Sequence, residues 1–302
     1  MKKQFTFLAF ALAILIGTGC YRLDANLFNP DDSITEYLFE DSDQYDWDVE
    51  LDQSYAIGDS MIHLFQLDSK TEDETSPTKI WVEYIGDMAN IATDTIILYA
   101  HGNSTNMDAY WQRTKLLANL GHKHRFGVMT FDYRGFGLSD GTPSEEGMYA
   151  DFQACAEWLR QNGLTSDRLI YYGFSLGSAP ATELTAHPQT ISPSWLILEA
   201  PFASAEVMAQ DGTGLAIPGS FFTNIKIDNA EEIKLVQQPF MWIHGIEDNF
   251  LTYENHGQVV WDNYAGIRGT KLSVPGSGHS GVAKTMGAAP YSKAVLDFIL
   301  DQ

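Results

Sequence analysis

Leu169-Ile170-Tyr171-Tyr172-Gly173-Phe174-Ser175-Leu176-Gly177 is the stretch on which the fold turns. Its first four residues predict a strand buried on both faces, because nothing charged interrupts them. A helix is expected directly afterwards, over 176–186. Between the two sits Gly-x-Ser-x-Gly, a strand-to-helix turn sharp enough to force Ser175 into strained backbone and expose its Oγ. Glycines must flank that turn, since side chains there would collide. The helix start also directs free N–H groups and a positive dipole end at any anion forming on a group that Ser175 attacks.

Working outward, strand-like and helix-like segments alternate, which implies a mainly parallel sheet covered on both faces. Apolar runs predict strands at 95–100, 127–131, 195–198, 240–243 and 272–274, and helices at 107–120, 144–161 and 294–300. Glu145 and Glu146 open the second of these helices, where the dipole favours acids. Met61, Leu64, Phe65 and residues 80–85 belong to antiparallel strands at one edge. The longer connection 201–238 carries Gly212, Gly214, Pro218 and Gly219, then a helical segment at 229–236. It is the natural place for a small lid.

A serine hydroxyl is a poor nucleophile until a base takes its proton. His279 follows the last strand in Pro275-Gly276-Ser277-Gly278-His279, a loop suited to bringing an imidazole over the sheet edge. His101 and His244 also end strands, but each precedes a glycine in a motif with another use. His63, His122, His124, His187 and His256 read as surface or packing residues. An acid should follow a strand between the serine and the histidine. Asp248, in His244-Gly245-Ile246-Glu247-Asp248, fits that order best, with Glu199 one strand earlier as the alternative. If Asp248 is the acid, Glu199 is a structural carboxylate. Oxyanion donors are expected from the backbone N–H of Leu176 and of Asn103, in His101-Gly102-Asn103-Ser104. His101 is expected to fix that loop.

Six segments in order carry a family resemblance: 99–103, Asp132-Tyr133-Arg134-Gly135-Phe136-Gly137-Leu138-Ser139, 173–177, Glu199-Ala200-Pro201-Phe202, 244–248 and Gly278-His279. Together they resemble the α/β-hydrolase superfamily, and within it the small-lidded branch of serine-aminopeptidase-like hydrolases and protein depalmitoylases. Pro180 and His256-Gly257 resemble the depalmitoylase group in particular, whereas Ser280-Gly281 replaces the Asn or Asp usual there after the histidine. The resemblance implies an α/β-hydrolase fold with a small lid, Ser175, Asp248 and His279 as a triad, and Asn103 and Leu176 as oxyanion donors. It also implies that Asp132 and Arg134 are structural, as an ion pair or loop clamp.

Lys2 and Lys3 precede an apolar run, 5–16, and then Gly17-Thr18-Gly19-Cys20. This resembles a bacterial lipoprotein signal, although Gly17 stands where Leu, Val or Ile is usual. The apolar run is too short for a comfortable transmembrane helix. The expected organisation is a leader over 1–19, a lipid-bearing Cys20, a polar tether over 20–50 and a hydrolase domain over 51–302. The expected location is the extracytoplasmic face of a bacterial envelope. Cys155 is then unpaired, in a helical pattern with Phe152, Ala156 and Leu159, and reads as a buried core thiol.

The 302 residues carry a formal charge of −22, which repels polyanions and argues against nucleic acid as partner or substrate. Fifteen Asp or Glu lie between Asp31 and Glu74 against one Lys, without calcium-loop spacing, so a solvated face is expected. With two cysteines and no zinc-like grouping, no disulfide framework or structural metal is expected. The function these features imply is hydrolysis of a carboxylic ester or thioester of a small-molecule or acyl substrate through an acyl-Ser175, with no cofactor. Serine peptidase activity is the runner-up, and a non-catalytic binding module on the same fold is the alternative of another class.

Overall fold

Alternation along buried strands decides which side chain feeds which layer. In the strand Thr95–Ala100, Ile96 and Leu98 enter one apolar cluster while Ile97 and Tyr99 enter the other. That is the period of two expected of a strand covered on both faces. The computed structural model describes residues 27–42, 45–120, 126–213, 219–221 and 223–300. Cys20 with its leader, and His122 and His124, lie outside them. Among the described residues no helix is long and apolar enough to cross a membrane.

In chain order the strands are β1 (Asn29–Pro30), β2 (Ile62–Ser69), β3 (Thr78–Ile85), β4 (Thr95–Ala100), β5 (Ser104–Thr105), β6 (Phe126–Phe131), β7 (Leu169–Phe174), β8 (Trp195–Glu199), β9 (Phe240–Gly245) and β10 (Gly269–Val274). Eight of them form one sheet in the order β10-β9-β8-β7-β4-β6-β3-β2. Only β3 runs against its neighbours, so the sheet is mainly parallel with an antiparallel edge, as the sequence indicates. The helices are α1 (Trp111–Ala118), α2 (Glu145–Gln161), α3 (Ser178–Ala186), α4 (Ala205–Thr213), α5 (Asn229–Glu232), α6 (Gln258–Asn263), α7 (Val282–Met286) and α8 (Ala288–Ile299). Helices α2 and α3 cover one face through Phe152, Leu159, Ala181 and Leu184. Helices α1 and α8 cover the other through Leu116, Leu117, Tyr291 and Val295. Cys155 is a buried free thiol in the first of these layers.

Element ends follow local chemistry. Ser144 caps α2, its Oγ accepting the Gly147 N–H at 3.0 Å. The segment expected as one helix over 107–120 starts as a 3₁₀ turn, Met107–Tyr110, because the Asn106 side chain takes the Asp108 N–H. The last helix begins at Ala288 rather than 294. Pro290 lies in its first turn, where the missing N–H costs nothing.

Two readings of chain organisation change. The segment expected to be a free tether is bound to the domain from residue 27 onward. Its β1 pairs with β5, Asn29 opposite Ser104 and Pro30 opposite Thr105. Phe39 packs on Trp111 with ring centroids 5.3 Å apart, and Val49 is buried. The acids do face solvent in part, but the aromatics among them find the core. Asp132 and Arg134, expected as an ion pair or loop clamp, do not pair with each other but each fixes other elements. Arg134 instead meets Asp151 at 3.0 Å and Glu74 at 3.0 Å, while Asp132 accepts from Tyr37 at 2.7 Å and faces His101 at 3.1 Å.

On the face of α1, Glu83 of β3 lies opposite Thr130 of β6, which lies opposite Tyr99 of β4. Glu83 is 1% exposed, and its carboxyl oxygens have no hydrogen-bond partner among the described residues. Burial therefore pushes its pKa well above the usual 4.5, and the charges of Asp108 and Asp132 push the same way. The folded state binds this proton more tightly than the unfolded chain. The resulting stability is complete below about 4.5 and is lost as pH rises toward the raised value. Glu83→Gln, neutral at every pH, should have a higher Tm than the parent at neutral pH. The gap between the two should close as pH falls to 4.5; parallel Tm–pH curves would contradict a buried carboxyl that must be neutral.

Candidate active site

Ser175 follows β7 directly, with φ of +51°, the left-handed region that a non-glycine residue enters at a cost. The turn is packed from both sides. A Cβ on Gly173 would lie 2.3 Å from the Gly177 carbonyl oxygen, and one on Gly177 would lie 2.0 Å from the Ala100 carbonyl oxygen. Both glycines are thus fixed by backbone approach, and α3 starts immediately behind the serine.

His279 reaches this serine from the loop after β10. Its Nε2 is 2.9 Å from Ser175 Oγ and its Nδ1 is 2.7 Å from Asp248 Oδ2. A carboxylate can only accept, so Nδ1 carries the proton, and Nε2 is left to accept from the serine hydroxyl. Asp248 is 3% exposed and follows β9. Its Oδ1 accepts the N–H groups of Phe250 at 2.9 Å and Leu251 at 2.8 Å. Burial alone would raise its pKa, but hydrogen bonds from His244, His279 and the Leu251 N–H outweigh burial and hold the carboxyl well below the usual range. Glu247 holds the histidine loop, accepting the Gly276 N–H at 2.6 Å.

Glu199 is placed elsewhere. Fully buried, it takes Arg113 at 2.5 Å and the hydroxyls of Tyr172 at 2.5 Å and Tyr291 at 2.8 Å. Arg113 in turn donates to the Ser280 carbonyl at 3.0 Å, the residue after His279, and lies 4.5 Å over the Phe174 ring. Glu199 therefore supports the histidine loop at one remove.

A cleft of about 540 Å³ opens over Ser175 and His279, within the range of small-molecule sites. Asn103 lines it too, but its side chain faces the N-terminal segment: Oδ1 accepts the Asn29 N–H at 3.0 Å and Nδ2 donates to the Leu27 carbonyl at 2.5 Å. Leu176 follows the serine at the head of α3. His101 behaves as a loop fixture, between Asp132 and the Gly102 carbonyl. A larger cleft of about 840 Å³, bordered by Lys70, Arg134 and Gln189, contains none of these groups. Among the described residues one group has metal-ligand geometry: Glu183, His187 and Glu232 bring ligand atoms within 4.8 Å of one another.

Two features escaped the sequence reading. His244 is a second partner of Asp248, with Nε2 3.3 Å from its Oδ2 and 2.9 Å from the Leu251 carbonyl. Its place four residues before the acid, on a strand end, was the available signal. No described residue of 201–238 borders the cleft. The bordering residues are Asn29, Tyr45 and Trp47 from the N-terminal segment, with Phe250 beside His279. The aromatics among the acids of that segment were the overlooked sign.

An eight-stranded, mainly parallel sheet carrying its serine on a strand-to-helix elbow is the α/β-hydrolase fold. Residues 95–209 match the family model described as alpha/beta hydrolase fold. Among curated proteins, the chain is 31% identical over 187 residues to the alpha/beta hydrolase domain-containing protein aho-3 of Caenorhabditis elegans, covering 62% of this chain and 52% of that protein. It is 29% identical over 188 residues to alpha/beta hydrolase domain-containing protein 17B of Homo sapiens, covering 62% and 60%. The chain thus spans a little over half the length of these relatives. Among solved structures, an esterase of Pyrococcus furiosus superposes with a TM-score of 0.66 at 17% identity, covering 91% of this chain and 98% of that one. Est1E of Butyrivibrio proteoclasticus, with ferulic acid bound, superposes with a TM-score of 0.62 at 17% identity, covering 79% and 98%.

Proposed function

We propose that the protein is a serine hydrolase that cleaves a carboxylic ester or thioester through an acyl-Ser175 intermediate. The observation that carries this reading is the continuous line Asp248–His279–Ser175, ending at an Oγ that opens into a cleft. Its curated relatives are named as alpha/beta hydrolase domain proteins, which agrees with it. Ser175 Oγ attacks the acyl carbon while its proton passes to His279 Nε2. The N–H groups of Leu176 and Asn103 receive the oxyanion. Collapse expels the alkoxide or thiolate, which takes the proton from His279. Water, deprotonated by the same nitrogen, then attacks the acyl carbon and returns Ser175. Asp248 stays ionised throughout and holds the imidazole in the required tautomer.

The test is covalent. A fluorophosphonate should phosphonylate Ser175 and block turnover of a soluble ester; a protein that neither labels nor turns over ester is a binding module. An aminopeptidase would need a carboxylate to hold the substrate amine, and the described lining of the cleft contains none. For the leader we propose a lipid anchor at Cys20, on the sequence pattern alone. Cys20→Ser should then abolish metabolic labelling with fatty acid and release the protein from membranes, whereas unchanged labelling would place any lipid elsewhere.

A further inference from the structure

The N-terminal segment is stapled to the domain along its length. Asn103 holds Leu27 and Asn29, the Asp108 carboxylate accepts the N–H groups of Leu38 at 2.8 Å and Phe39 at 2.9 Å, and Lys115 pairs with Glu40 at 2.8 Å. Lys284 donates to the Asp46 carbonyl. Between these ties, Trp47 packs on Tyr110 with centroids 5.5 Å apart and on Tyr45 at 5.3 Å. Tyr110 borders the cleft as well, and Phe250, 63% exposed, faces His279 across it at 5.1 Å. No described residue bordering the cleft is an Asp, Glu, Lys or Arg. In a chain of charge −22, an uncharged aromatic wall beside the candidate nucleophile stands apart from the acidic remainder.

Resting on the hydrolase reading above, we propose that this N-terminal belt is one wall of the acyl site. Tyr45 and Trp47 then set the preferred acyl group, an uncharged apolar chain longer than butyryl. The argument is one of size and polarity. A cleft of about 540 Å³ far exceeds an acetyl group, and the flat aromatic faces offer contact area to methylenes while no described lining residue carries a charge to pair with a charged acyl tail. Each methylene removed from water against such a wall favours the transition state by about four-fold in kcat/KM. The anchoring of the belt makes the wall part of the folded site, not an adapting flap.

The experiment measures kcat/KM for 4-nitrophenyl esters from acetyl to decanoyl, and for an alcohol series of acetate esters, on wild type, Trp47→Ala and Tyr45→Ala. Tyr45 is 36% exposed, so its truncation keeps the comparison usable where the tryptophan variant misfolds. The decanoyl-to-acetyl ratio should rise steeply in the wild type and fall about tenfold in the variants. An unchanged ratio in an active enzyme overturns the proposal, as does a change confined to the alcohol series, which would make the wall a leaving-group site. Fluorophosphonate labelling of the wild type separates this failure from that of the hydrolase reading. Without labelling or turnover the reading itself fails, and the acyl wall falls with it.

Discussion

Ser175→Ala should leave a folded protein that no fluorophosphonate labels and whose ester turnover is lower by on the order of 10⁶. The size follows from the geometry. In the proposed mechanism Ser175 Oγ forms the new bond, and His279 Nε2, 2.9 Å away, has no other described partner on that side. Alanine removes one oxygen from a site that is 5% exposed and keeps the Cβ already accommodated at φ +51°, so the elbow is not further strained. Circular dichroism and Tm should therefore match the parent. Because the serine and histidine act as a unit, Ser175→Ala/His279→Ala should be scarcely worse than either single variant. Retained labelling in Ser175→Ala would move the nucleophile elsewhere.

Asp248→Asn should cost on the order of 10⁴ in kcat with KM nearly unchanged. Asparagine can present its NH₂ where Asp248 Oδ2 now accepts from His279, which favours the wrong tautomer and removes the charge that steadies the imidazolium. Glu199→Gln makes the contrast. It leaves Arg113, itself 4% exposed, as a buried charge without its counter-ion, a loss of about 3–5 kcal/mol in comparable buried pairs. The expected signature is a large fall in Tm with a smaller fall in kcat, transmitted through the Ser280 carbonyl that Arg113 holds. The decisive measurement is kcat and Tm for both variants on one soluble ester. A dead Glu199→Gln beside an active Asp248→Asn would reverse the assignment of the acid.

The sheet and the serine elbow were legible because their causes are local. Unbroken apolar runs mark buried strands, and the glycines at 173 and 177 are dictated by backbone contacts within the turn or to the neighbouring strand. The meeting of Ser175, His279 and Asp248 was legible at longer range because strand order brings those three loops to one sheet edge. The belt was not. Its β-pairing is two residues long, too short for any periodicity, and its anchor on Asn103 lies 74 residues away. Its acids gave the dominant signal, and acids on a solvated strap look like acids on a tether. Arg134 was legible as structural but its partner was not: Asp132 is near in sequence, yet its carboxylate is taken by Tyr37 and His101, which leaves Arg134 to Asp151 on α2.

The belt also fixes an order of assembly. The belt is made before its partners: Asn103 follows Asn29 by 74 residues and Lys284 follows Asp46 by 238. At about 5–20 residues per second, the second gap alone is roughly 12–50 s of synthesis. His279 is made 104 residues after Ser175, so the nucleophile also waits for its base. The strap's partners Asn103, Asp108 and Lys115 are made early, and only Lys284 comes after both Ser175 and His279. On the proposed mechanism the serine stays without its base until His279 has been made, after most of the strap's ties are already available.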